Sequence, residues 1–181
     1  MVVIGGSAAS PAVIQRSRVE LADRRISGSV QPYHAAQEMK LERAAAFIER
    51  CANATKSMAQ KSVRDAVSEL TGQGYRIIGS CVLMGSGRPL PDLLAILASH
   101  PLLHTAEGHF FRDALKDACE SCGLPVSCVP ERELLSHGAA RLGIASDELQ
   151  RRASELGRSV GPPWRQDHRE ATAAALAAWS T

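Results

Sequence analysis

The chain has 181 residues, a length that fits one domain and buries roughly 70% of the surface its unfolded form exposes, so no staples are needed to fold it. Its 21 basic and 19 acidic side chains interleave to a net charge of +2, which gives no electrostatic sign of a nucleic-acid partner. Hydrophobic residues make up 45%, but aromatic ones only 4%, so the core must be aliphatic and alanine-rich rather than a base-stacking surface.

Met1-Val2-Val3-Ile4 runs directly into Gly5-Gly6-Ser7, with no basic flank and no apolar stretch of signal-peptide or membrane length. With five cysteines, an odd number, this predicts a cytoplasmic protein with reduced thiols and no membrane partner. Residues 2–4 and 12–22 are rich in β-branched side chains and read as two or three short strands joined by the turn from Gly5 to Pro11. Residues 12–22 form either one strand or a hairpin turning at Arg16-Ser17.

After a loop at 27–33, apolar positions Leu41, Ala45, Ile48, Ala52, Met58 or Ala59, Val63, Ala66 and Leu70 recur mostly at three and four residue steps. They predict a long first helix over 34–71, ended by Gly72 and Gly74. At ~1.5 Å per residue it would reach about 55 Å, so it should overhang the body or break near Asn53. An overhanging apolar stripe invites a second copy, and a homodimer through this helix is expected.

Tyr75 to Met84 reads as a buried strand followed by a Gly/Pro-rich loop. Asp92 should cap a short helix over 93–99, and Thr105 a second helix ending at Gly123. Leu124 to Val129 reads as a strand. Helices over 131–142, 146–156 and 166–179 close the chain, making 131–181 a helical C-terminal part. A single α/β domain over 1–181 is expected, with a mixed β-sheet flanked by helices.

This order resembles the ribonuclease H-like fold, particularly its Holliday-junction resolvase branch. The terminal helix, with Asp167 and Glu170 three apart before Ala171-Thr172-Ala173-Ala174-Ala175, is similar to that family's final acidic, alanine-rich helix. The resemblance implies two divalent metals, Mg or Mn, held by converging carboxylates for phosphodiester cleavage. The opening strand, where the family places an aspartate, carries Ile4-Gly5-Gly6-Ser7 instead, and the strand ending at Met84 runs into Gly85-Ser86-Gly87. Helix capping and dipole compensation are the alternative role for Asp167 and Glu170.

A second cluster, His104-Thr105-Ala106-Glu107-Gly108-His109, combines metal-ligating and general-base side chains beside a helix start. Its spacing is not that of a zinc-protease helix, and Thr105 with Glu107 also reads as ordinary helix-start chemistry. Gly5-Gly6-Ser7 and Gly85-Ser86-Gly87-Arg88 could each cradle an anion, Arg88 adding a charged donor, and Arg169 near Trp164 is a separate candidate binding residue. Cys119, Cys122 and Cys128 lack the second knuckle of a zinc ribbon and read as core thiols. Trp164 reads as a hydrophobic anchor for the last helix.

Two functions follow as expectations. The first is a ribonuclease H-like domain without an intact nuclease site, acting as a binding or regulatory protein. The alternative is a divalent-metal-dependent nuclease or phosphodiesterase using Glu107, Asp167 and Glu170, with Glu107 and Asp167 as metal ligands and His104, His109, Arg88 and Arg169 as binding residues.

Overall fold

In a computed structural model, which describes residues 1–7, 10–85 and 87–179, the opening β-branched run pairs with itself. Strand β1 (Val2–Ser7) lies antiparallel to β2 (Ser10–Arg16), with an irregularity in register between Val3 and Ile4. Residues 12–22 thus contribute one strand, ending at Arg16. Helix α1 (Pro32–Ala36) and helix α2 (Leu41–Gly72) follow. Strand β3 (Ser80–Met84) then leads through α3 (Leu93–Leu97) and α4 (His100–Ser121) to β4 (Val126–Pro130). Helices α5 (Leu134–Leu142), α6 (Ser146–Leu156) and α7 (Gln166–Trp179) complete the chain.

The four strands form two two-stranded sheets, β1–β2 antiparallel and β3–β4 parallel, rather than the one mixed sheet expected. Among the described residues no ladder joins the pairs; α7 packs against β1 of one and β3 of the other. Ile4, Cys81 and Leu83 meet a core of Leu134, Leu149, Ala153, Ala173, Ala174 and Leu176. Side-chain burial under an alanine-rich helix thus replaces backbone pairing there.

The chain forms two compact units interleaved along it. One comprises Met1–Val19, Ile78–Ser86 and Pro125–Thr181, and holds both sheets. The other comprises Glu20–Ile77 and Gly87–Leu124, and is wholly helical in its regular structure. Tyr75 to Gly79, expected as part of the strand, stays out of it. Tyr75 and Ile78 are exposed, and the parallel ladder begins only at Ser80 opposite Val126.

In the helical unit the long helix differs from expectation in a way that matters for function. It breaks at residues 37–40, not near Asn53, which lies inside α2. Lys40 takes an extended conformation (φ −60°, ψ 145°) and starts a new helix. The break lets Ala36 and Met39 enter the same core as Ala44, Phe47, Cys51, Ile96, Leu97, Leu103 and Ala106. The α2 stripe of Ala44, Phe47, Cys51, Thr55, Ala59, Val63, Ala66 and Leu70 is buried within the chain. Of the stripe expected from the sequence, Ala59, Val63, Ala66 and Leu70 lie on this buried face, whereas Leu41 and Ala45 are exposed.

Asp92 caps α3 as expected, its Oδ1 accepting from the Ala95 N–H at 2.9 Å. Thr105 is not a cap. Helix α4 begins five residues earlier, at His100, with Pro101 in its first turn, and the Thr105 hydroxyl donates to the Pro101 carbonyl inside the helix. A proline costs nothing at that position because its missing N–H would have had no intrahelical partner. No disulfide joins the five cysteines; Cys51 and Cys119 are buried, whereas Cys128, expected in the core, is exposed. Among the described residues no helix is long and apolar enough to cross a membrane.

Candidate metal centre

The early start of α4 places His100, His104 and Glu107 at i, i+4 and i+7, one stripe of a 3.6-residue helix. Helix α1 packs against α4 and adds His34 to that stripe. One imidazole nitrogen from each of His34, His100 and His104 lies within 4.8 Å of the others. The ring centroids are 4.6 Å apart for His100 and His104, 4.7 Å for His34 and His104, and 5.3 Å for His34 and His100.

The Nε2 atoms of His100 and His104 face each other at 3.2 Å. At that distance one carries a proton and the other presents its lone pair to it. A single ion can stand in the proton's place. Two nitrogens bound to tetrahedral zinc at 2.0–2.1 Å are themselves about 3.3 Å apart, so this pair already has the separation the ion requires. Both residues are exposed, so the pair is open to an ion from solvent.

Glu107 fixes the third imidazole. Its Oε1 accepts from the His34 backbone N–H at 3.2 Å and lies 2.9 Å from His34 Nδ1. The carboxylate side chain is only 10% exposed and that of His34 21%, so the contact is shielded from water. A carboxylate oxygen accepts here, so Nδ1 is the ring atom that carries the proton toward Glu107 and Nε2 is the one that could bind a metal. Carboxylate behind histidine behind metal is the usual way a protein sets ligand orientation and basicity. Tyr33, the neighbour of His34, is anchored edge-on to Phe110 at 6.1 Å, which ties α1 to α4 on the other side.

Of the residues expected from the sequence, His104 and Glu107 fall in this cluster. His109 does not: five residues beyond His104 it lies about 140° further round the helix. His34 and His100 were not anticipated. Asp167 and Glu170 belong to the sheet-bearing unit and Glu107 to the helical one. Asp167 sits exposed in the first turn of α7, its Oδ1 3.0 Å from His168 Nδ1, and Glu170 Oε1 accepts from Gln166 Nε2 at 2.7 Å. The backbone cap of that helix is made by neither acid. His168 Nδ1 accepts the Arg165 N–H at 3.2 Å, reaching back from the third helical position.

Arg169 donates to the Trp164 carbonyl at 3.3 Å, and Arg88 stands exposed in its loop. Ser86 of the expected glycine-rich anion cradle lies outside the described residues, as do Ala8 and Ala9 of the first turn. Trp164 is the anchor the sequence suggested: it covers Gly157, and its indole N–H donates to the Ala153 carbonyl at 3.0 Å. Burial holds the Cys51 and Cys81 thiols above the ordinary thiol range, which keeps them protonated and poor as metal ligands.

The comparisons with known proteins add no relative to this geometry: no family model matches the chain, and neither a curated protein nor a solved structure matches it.

Proposed function

We propose that the protein is a transition-metal-binding protein of zinc type, with His34, His100 and His104 as ligands and Glu107 as the group that orients His34. The reading is carried by one observation, the 3.2 Å approach of the His100 and His104 Nε2 atoms with a third imidazole beside them. Three neutral nitrogen donors suit Zn, Cu, Ni or Co. Magnesium and manganese, the ions implied by the ribonuclease H-like resemblance, favour oxygen ligands instead. Isothermal titration of the full chain with zinc should give one ion per chain, and His34→Ala, His100→Ala and His104→Ala should each remove that binding. Heat of equal size in all three variants would place the metal elsewhere or nowhere.

For the sheet-bearing unit, the ribonuclease H-like reading is kept as that of a scaffold without nuclease chemistry. The antiparallel opening pair, the parallel pair β3–β4 and the closing α7 support it. The lack of any acid in β1 argues against cleavage, because two clustered dications need several converging carboxylates. The phosphodiesterase alternative with Glu107, Asp167 and Glu170 also asks Glu107 to leave His34. Saturable magnesium binding abolished by Asp167→Ala would revive that alternative.

A further inference from the structure

We infer that the metal-loaded triad is a hydrolytic centre that activates water in the coordination position left open by the protein and takes small carboxylic esters as substrates. The inference rests on the metal site proposed above and asks what such a site does.

Structural zinc sites are closed by four protein ligands, usually with cysteine among them, whereas catalytic ones keep three and leave the fourth place to water. Among the described residues the group contains three donors, all histidine. The neighbouring carboxylate, Glu107, has Oε1 committed to the backbone and ring of His34. Three neutral imidazoles also leave the ion's double charge undiminished. A bound water then loses its proton near neutral pH, its pKa falling far below that of bulk water to about 7. Exposure of His100 and His104 gives solvent and a small substrate access to that position.

The step balances without a redox partner. The bound water gives one proton to buffer, and the resulting hydroxide oxygen attacks the ester carbonyl carbon. The bond from that carbon to the leaving oxygen then breaks, releasing a carboxylate and an alcohol at the expense of one water. The same geometry sets the substrate class. Cleaving an amide requires a general acid to protonate the departing amine. Glu107 is occupied, and His109 points from another side of α4, so esters with good leaving groups are favoured over peptides.

The test uses the full chain, one equivalent of zinc and 4-nitrophenyl acetate as probe. The zinc-loaded chain should cleave it on the order of tenfold or more faster than the chain held in chelator. The gain should saturate at one equivalent and vanish in His104→Ala and in His100→Ala, both exposed positions whose loss leaves the core intact. Free imidazoles attack this ester without metal, so a rate unchanged by chelator overturns the inference. If calorimetry still shows one bound zinc, hydrolysis alone is refuted; if no zinc binds, the metal site falls with it.

Discussion

Glu107 spends one carboxylate oxygen on two donors of a single residue, the backbone and ring N–H of His34. A buried carboxylate is tolerable only with such partners, and hydrogen bonds to a charged group are stronger than neutral ones. Glu107→Gln keeps the shape and an accepting oxygen but removes the charge, so zinc affinity should fall by about tenfold or more while the fold persists. Equal affinity in variant and parent would show that His34 needs no orientation. The cysteines offer a second check at this scale. Cys128 is exposed and should react with a disulfide reagent first, while Cys51 and Cys81 lag. Their thiols are held above the ordinary range by burial, so at a given pH less thiolate is available. The sign for stability follows: the unfolded chain ionises these thiols first, so raising the pH through the thiol range should lower the thermal midpoint. A flat alkaline profile would contradict it.

How much of the site was legible depended on where one helix began. His104 and Glu107 stood out as a cluster, but reading Thr105 as the cap paired them with His109 and hid the i, i+4 relation of His104 to His100. Pro101 was the local signal, since proline favours the first turn. No local signal could have supplied His34, whose place depends on α1 folding against α4. The break at residues 37–40 follows from core packing of Ala36 and Met39, not from a breaker residue. Helix α7 was placed end to end, but the strands expected over 12–22 and from Tyr75 proved shorter, ending at Arg16 and starting at Ser80; division of the strands into two pairs was not readable, because period-2 patterns do not state their partners.

Glycine contacts make this element-level packing testable. Gly28 has a φ of +85°, and a Cβ there would stand 2.5 Å from the Ala35 Cβ. Gly28→Ala should therefore cost about 1–3 kcal/mol of stability and displace α1, weakening zinc binding as well. In the other unit a Cβ on Gly157 would run into the Trp164 ring. Gly157→Ala should cost about 1–3 kcal/mol by overpacking, read from denaturant midpoints, with zinc stoichiometry unchanged.

At the scale of the whole molecule, the chain forms two units with separate cores. The sheet-bearing unit is built under α7, and the helical unit, inserted in two stretches, holds every proposed ligand. If zinc binds only the folded arrangement, as proposed, a hundredfold excess over its Kd should add about 2.7 kcal/mol of stability. Hydrogen exchange should slow over residues 32–36 and 100–107 on adding zinc and recover in chelator. Uniform slowing across β1 to β4 as well would argue against a local clasp between α1 and α4.

Cobalt(II) absorption of the full chain addresses the central claim most directly, because visible d–d bands distinguish a tetrahedral nitrogen site from an octahedral oxygen one. The account predicts tetrahedral-type bands that saturate at one cobalt per chain, are displaced by zinc and are absent in His100→Ala. A colour change that fails to saturate, or bands that survive loss of His100, would contradict it.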